Sequence, residues 1–358
     1  MERNTDAMEM LDLMVRPGFC VRNGIIVKAN QPALSHMVTE GTEINQILLT
    51  GKEEYAAFSG GCLYLTLTLE DHPFGASVTR IGEFDVFILE QEEDQSELQA
   101  MALAARELRE PLTSVMTTAD RLFPMHALQD DPVTREQVAR INRGLLQMLR
   151  VISNMSDASR YSAGTGTRQE TRDVCSLLEE IFTRAGELVS HGGVTLSFRN
   201  LPGSVYSLVD AEKLERAVLN IISNAMKFTP KGGTMEASLT RRENMLYLQI
   251  QDNGQGIPEN LRGSIHSRYL RQPAIEDGRF GIGLGMVLIR SAAAHHGGTV
   301  LIDQPEGSGT RITMTLAIRQ NPSTMVRSNI LRVDYAGERD HALMELADCL
   351  PAELYDFS

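Results

Sequence analysis

The stretch Asn220–Gly233, NIISNAMKFTPKGG, closes a long helical run, AEKLERAVLNIISNAMKF over 211–228. Asn220, Asn224 and Lys227 stand at steps of four and three and therefore share one helix face, whereas Leu219, Ile221, Ile222 and Met226 point elsewhere. An amide oxygen is a neutral, hard ligand for Mg²⁺, and a lysine on the same face adds positive charge for a phosphate. Taken alone, the pattern is equally a solvated polar stripe.

Two glycine-rich segments further along the chain change that balance. DNGQGIP (252–258) follows a strand-like run that ends in Asp252, placing a carboxylate beside Gly254 and Gly256, whose missing Cβ atoms let a flat ligand approach the backbone. GRFGIGLGM (278–286) then sets Gly281, Gly283 and Gly285 just before an apolar helical run. Glycine costs up to about 1 kcal/mol relative to alanine within a helix, so three in alternation fit a loop wrapped around a ligand better. Backbone amides freed there, with the following helix start, can hold an anion. A P-loop and a G-x-G-x-x-G fingerprint are both missing.

In order and spacing these pieces resemble the ATP-binding domain shared by sensor histidine kinases, DNA gyrase, the mismatch-repair ATPases and a heat-shock chaperone, the GHKL or Bergerat fold. NIISNAMKF is similar to that family's N box, DNGQGIP to its G1 box and GIGLGM to its G2 box, with AHHGGTV following. The resemblance implies ATP and Mg²⁺ as cofactors. It makes Asn224 the metal ligand with Asn220 beside it, Lys227 a phosphate contact and Asp252 the acceptor for the adenine amino group. Gly254, Gly256, Gly281, Gly283 and Gly285 would shape the pocket and its lid, SIHSRYLRQPAIEDGRF (264–280), which keeps Tyr269. Hydrolysing members carry a glutamate one turn before the metal-binding Asn; Asn220 stands here, which disfavours simple ATP hydrolysis.

Upstream, Leu98, Met101, Ala105, Leu108, Leu112, Val115, Ala119 and Leu122 recur at alternating steps of three and four. Val138, Ile141, Leu145, Met148, Ile152 and Met155 repeat that spacing after a break at FPMHALQDDP. Two antiparallel helices with one seam each leave apolar surface open, so a homodimeric four-helix bundle is expected, with packing onto the chain's own domains as the alternative. This hairpin resembles the dimerisation and phosphoacceptor module of histidine kinases, whose first helix carries a pattern close to H-E-L-R-T-P-L. Here it reads Arg106, Glu107, Leu108, Arg109, Glu110, Pro111, Leu112. Arg106 replaces the histidine, and Glu110 the Thr or Asn used in dephosphorylating a partner.

The first change removes self-phosphorylation at this position. A neutral imidazole attacks a γ-phosphate, but a guanidinium stays protonated below about pH 12 and offers donors only. Glu107, the base in the family, has no proton to take, and is equally read as an exposed helix glutamate beside Arg109. His126 in the inter-helix turn is the only nearby candidate for a substitute acceptor, and is equally read as an ordinary exposed loop histidine. His295 and His296 match the family's helix-end pattern rather than a metal site.

The expected fold class is α+β in four parts. Residues 1–90 resemble a PAS-type sensory domain, with a hairpin at Asn23-Gly24 and the strand-like runs CLYLTLTLE and FDVFILE. Residues 91–161 form the helical hairpin, 170–319 an α/β sandwich, and 320–358 a tail. In that tail Asp340 is placed to cap a short helix bearing Leu343, Leu346 and Leu350. The net charge of -13 makes nucleic acid and anionic membranes poor partners. No run of about 18 apolar residues occurs, and Cys20, Cys62, Cys175 and Cys349 lack a paired spacing, so buried thiols in a reducing cytoplasm are expected.

The reading is a cytoplasmic, homodimeric signal-transduction protein that binds Mg-ATP but is degenerate at its acceptor. A response regulator or an intact partner kinase is its expected partner. The alternatives are an active kinase that uses another histidine or phosphorylates a partner, and a non-enzymatic dimeric scaffold.

Overall fold

Strands β1 (Gly18–Arg22) and β2 (Ile25–Ala29) join through Asn23 and Gly24, whose φ angles of 53° and 77° are both positive, as a type I′ hairpin turn requires. The computed structural model describes residues 8, 11–90, 92–122, 132–162, 169–257, 284–305, 309–319 and 340–356. Short helices α1 (Gln31–Ser35), α2 (Ile44–Ile47) and α3 (Lys52–Ala56) precede β3 (Cys62–Leu69), β4 (His72–Ile81) and β5 (Phe84–Leu89). The alternation of CLYLTLTL becomes β3, with Leu63, Leu65 and Leu67 fully buried beside a stacked Phe19–Phe87 pair at 4.8 Å.

Helices α4 (Glu92–Leu122) and α5 (Pro132–Ser162) form the long hairpin, and α4 continues through Pro111. Its expected single seam divides into two edges. Leu98, Ala105 and Leu112 are buried, while Leu108, Val115 and Leu122, also seven apart, are at least half exposed. On α5, Val138, Leu145 and Ile152 are buried and Ile141 and Met148 exposed. The buried set closes the hairpin and also packs it onto the rest of the chain, Leu98 clustering with Leu284, Val287 and Leu288; the exposed set leaves an apolar stripe along each helix. His126 lies outside the described residues, and none of the described helices is long and apolar enough to cross a membrane.

Next come β6 (Glu170–Asp173), α6 (Val174–His191), β7 (Thr195–Arg199), β8 (Tyr206–Val209) and α7 (Ala211–Phe228). They are followed by β9 (Thr234–Arg242), β10 (Met245–Asp252), α8 (Leu284–His295), β11 (Val300–Asp303) and β12 (Arg311–Ala317). Asp173 and Asp210 cap α6 and α7, accepting from the backbone N–H of Cys175 and Lys213. The apolar faces of α6, α7 and α8 share one core with the inward residues of β9, β10 and β12, giving the helix layer on a sheet. Strand β6 is a correction to the sequence reading: ETRD is polar throughout and shows no alternation, yet it pairs with β8 as a separate two-stranded ribbon.

One ten-stranded sheet runs through both ends of the chain, in the order β2-β1-β5-β4-β3-β11-β12-β10-β9-β7. Its junction is antiparallel pairing of Cys62, Leu63 and Tyr64 with Ile302, Leu301 and Val300. Gly61, with φ of 87°, lies against the Ile302 carbonyl where a Cβ would collide. Beyond the strands, the Arg290 guanidinium of α8 stacks 5.0 Å from the Tyr64 ring centroid and pairs with Glu90 at 3.1 Å. The Tyr64 hydroxyl donates to the same carboxylate.

The tail packs against the helices. Asp340 accepts from the Leu343 N–H and caps α9 (His341–Glu345); a 3-10 turn follows at Ala352–Tyr355. Met344, Leu346, Leu350 and Tyr355 are all essentially inaccessible and Leu343 is half-buried, so the apolar positions expected after Asp340 are among those that dock. Cys20, Cys62 and Cys175 are buried; Cys349 is only half-buried, a departure from the expectation of four buried thiols.

Candidate functional site

Helix α7 supplies the centre of the site. Its apolar flank, from Leu214 to Met226, is buried in the shared core, which fixes the roll of the helix and sends Asn220, Asn224 and Lys227 to the opposite side. Asn224 and Lys227 are half-buried and Asn220 is buried. The turn after β10 reaches the C-terminal end of this helix, where the Gln255 N–H donates to the Phe228 carbonyl. A Cβ on Gly254 would come within 2.5 Å of that carbonyl oxygen and 2.9 Å of Asp252 Oδ1. From the other side, Gly285 in the first turn of α8 sits against Asn220, where a Cβ would lie 2.9 Å from Oδ1. The three sequence-distant motifs therefore meet around one helix.

Asp252 is buried at the end of β10 and accepts from the Gly254 N–H at 2.8 Å and the Thr310 N–H at 3.2 Å, both at Oδ1. Burial raises its pKa above the usual carboxylate value, against the lowering effect of those donors. Gly256, with φ of 74°, packs against Gln304 and the Gly309 carbonyl. Gly281, Gly283 and Tyr269 lie outside the described residues.

A Mg-nucleotide fits the donor set in one respect and meets competition in another. Asn224 makes no side-chain hydrogen bond among the described residues, leaving its amide oxygen open for a hard cation. Asn220, in contrast, is committed at both ends. Its Nδ2 donates to the Arg216 carbonyl at 2.9 Å and to Glu345 Oε2 at 3.4 Å, while its Oδ1 accepts from Arg150 Nη2 at 3.4 Å. Lys227 Nζ lies 3.4 Å from Asp348 Oδ2.

These partners are what the sequence reading missed. Arg150, Asn154 and Asp157 follow steps of four and three on α5 and face Ser223, Asn220 and Arg216 of α7 in an antiparallel polar ladder. Arg150 Nη2 donates to Ser223 Oγ at 3.1 Å, Arg216 Nη2 to Asn154 Oδ1 at 2.6 Å, and Arg216 also pairs with Asp157. Burial works against the charge on Arg150, but Glu345 and Asp348 outweigh it and hold its pKa above the ordinary value. Arg216 at one turn before Asn220 was a readable signal; Glu345 and Asp348, in the tail, carried none.

Arg106 and Glu107 are both exposed on α4, away from this cluster. The hydroxyls of Thr113, Thr117 and Thr118 on the same helix donate to carbonyls one turn back and so are occupied by the backbone. His296 is built into the fold: Nδ1–H donates to the Ala292 carbonyl at 2.7 Å, and Nε2 accepts from the Asp210 N–H at 3.0 Å. His295 Nε2 faces the Gln169 amide at 2.8 Å.

Residues 96–164 match the family model of the His Kinase A phospho-acceptor domain, and residues 209–320 that of the histidine kinase-, DNA gyrase B- and HSP90-like ATPase. Sensor histidine kinase WalK of Bacillus subtilis is 27% identical over 325 residues, 84% of this chain and 53% of WalK. Sensor histidine kinase TmoS of Ectopseudomonas mendocina is 26% identical over 270 residues, 74% of this chain and 26% of TmoS. The chain thus spans about half of one relative's length and about a quarter of the other's. Among solved structures, full-length ShkA in complex with AMPPNP is similar at 20% identity and a TM-score of 0.49, covering 63% of this chain and 47% of that one. A phospho-acceptor helical hairpin followed by an ATPase domain, in a chain matched by sensor histidine kinases over most of its length, makes this protein a member of the histidine kinase family.

Proposed function

We propose that the chain is a degenerate histidine kinase, a nucleotide-dependent signalling module that binds Mg-ATP without phosphorylating itself on the bundle helix. The observation that carries this reading is Arg106, exposed at the acceptor position of α4, on a hairpin whose helices α4 and α5 contain no histidine. A guanidinium at that position can bind a phosphate but not attack one. Glu107 is retained beside it and has no imidazole proton to accept.

Asn224, with Asn220 beside it, would hold Mg²⁺, Lys227 would neutralise phosphate charge, and Asp252 would accept from the adenine amino group. Gly254, Gly256, Gly281, Gly283 and Gly285 would keep side chains out of the nucleotide's path. Bound nucleotide would supply a transferable γ-phosphoryl group, for which this chain has no histidine acceptor on α4 or α5. Its output is then conformational, delivered to a response regulator or an intact partner kinase.

The stripe of Leu108, Val115 and Leu122 on α4 with Ile141 and Met148 on α5 supports homodimerisation through residues 91–161, because heptad-spaced apolar residues left exposed along a hairpin are what a second copy buries. Residues 1–90 act as a PAS-like sensory domain in this proposal, 170–319 as the ATP-binding domain, and the cytoplasm as its compartment. Calorimetry with a non-hydrolysable ATP analogue and Mg²⁺ tests the site. Binding that is lost in Asn224→Ala supports it, and absence of binding up to millimolar nucleotide favours a scaffold with a vestigial pocket.

A further inference from the structure

Residues 340–356 fill the groove between α5, α6 and α7, beside the site proposed for nucleotide. The segment is seated by Met344, Leu346, Leu350 and Tyr355 in the common core. Its backbone is held as well, with Arg143 Nε and Gln147 Nε2 donating to the Ala347 carbonyl at 2.9 and 3.2 Å, and Asn142 Nδ2 to the Tyr355 carbonyl at 3.0 Å. At its start Asp340 pairs with Arg184, and His341 Nδ1 lies 2.8 Å from Glu215 Oε2.

What this segment brings to the polar face of α7 is negative charge. Glu345, fully buried, reaches Arg216 at 3.2 Å, Arg150 at 3.0 Å and the amide of Asn220 at 3.4 Å. Asp348 reaches Arg150 at 2.6 Å and Lys227 at 3.4 Å. The two carboxylates thus engage the lysine and one of the two asparagines that a phosphate and its metal need, and leave Asn224 alone.

We infer that the C-terminal segment is an intrinsic competitor of the nucleotide, occupying the phosphate end of the site with Glu345 and Asp348 and leaving when a polyphosphate binds. This rests on the reading of Asn220, Asn224 and Lys227 as the nucleotide's partners. A triphosphate entering beside Lys227 would meet the Asp348 carboxylate, and like charges at such distances oppose each other strongly in a partly buried site. The chain's affinity for nucleotide is then reduced by the fraction of molecules whose tail is out. By linkage, a partner that captures the tail raises nucleotide affinity, and nucleotide raises affinity for that partner by the same factor.

The test measures Mg-AMPPNP binding by calorimetry for the full chain, for Asp348→Ala and for a chain ending at residue 339, with hydrogen exchange of amides 341–350 followed with and without nucleotide. Asp348 is partly exposed and Glu345 keeps Arg150 paired in its absence, so Asp348→Ala reports even where the truncated chain fails to fold. Tighter binding by Asp348→Ala, about tenfold where the tail is docked nine-tenths of the time, with faster exchange at 341–350 in the nucleotide complex, is the expected result. Unchanged affinity with those amides still protected in the complex overturns the inference while leaving the site intact. No binding by any of the three chains overturns both.

Discussion

Arg216 of α7 and Glu345 of α9, both with fully buried side chains, meet at 3.2 Å across 129 residues of sequence. Two guanidiniums, Arg150 and Arg216, share this one carboxylate, Arg150 pairing also with Asp348 and Arg216 with Asp157. Removing one partner of a buried ion pair costs roughly 3–5 kcal/mol where the other charge is left uncompensated, and Asp348 and Asp157 hold the loss here to the low end of that range. Glu345→Ala should lower the denaturant midpoint accordingly, with Glu345→Gln intermediate because its amide still accepts from one guanidinium. A midpoint unchanged in Glu345→Ala would mean that the tail is undocked in solution.

The apolar stripe gives a second prediction. Val115 is half exposed within the apolar stripe of α4, so Val115→Glu should leave the hairpin's own packing intact while placing a charge in the proposed dimer seam. Sedimentation equilibrium should show a dimer for the unchanged chain and a monomer for the variant, with the same helical circular dichroism. A dimer that tolerates the charge would place the two-fold contact elsewhere.

The local geometry of the candidate site was legible where it depends on short-range spacing. The steps of four and three from Asn220 to Lys227 place those side chains on one face whatever the tertiary context, and Asn23-Gly24 fixes a hairpin by its backbone angles. What could not be read were contacts set by tertiary packing. ETRD becomes a strand only because β8 offers an edge, and the pairing of β3 with β11 joins residues 236 or more apart. The single heptad seam divided in two for a similar reason: the spacing names the apolar positions, and only the hairpin's roll decides which of them it buries. The burial of Arg150 could not be read because its partner Glu345 comes from the tail, 195 residues further along the chain.

Acid should weaken the fold through the histidine pair. Burial, then the charges of Lys213 and His296, push His295 down to about 4, and burial lowers His296 in the same direction. Each neutral ring accepts a hydrogen bond at Nε2 that protonation would abolish. Unfolded histidine titrates near 6.5, so between about pH 6.5 and 4 the unfolded chain binds more protons. Stability from this pair is whole above about pH 6.5 and declines as the pH falls towards 4. Urea midpoints measured across that range should fall with acid, and the slope should shrink in His295→Gln; an identical slope in the variant assigns the loss to carboxylates instead.

The G1 turn should tolerate no side chain at Gly254. A Cβ there enters the space between the Phe228 carbonyl and Asp252 Oδ1, and overpacking of this kind costs roughly 1–3 kcal/mol. Gly254→Ala should therefore lower the thermal midpoint and weaken Mg-AMPPNP binding together, both read on the same sample by scanning fluorimetry with and without nucleotide. A variant that keeps both would show that the turn can open without disturbing Asp252.

The proposed degeneracy at Arg106 means that this histidine kinase family member does not phosphorylate itself on a histidine. Incubating the chain with γ-labelled ATP and Mg²⁺, quenching, and testing the labelled protein for acid lability measures this directly. The account predicts no acid-labile phosphoprotein. A robust acid-labile label that disappears when one of the chain's histidines, His126 first among them, is substituted would contradict it.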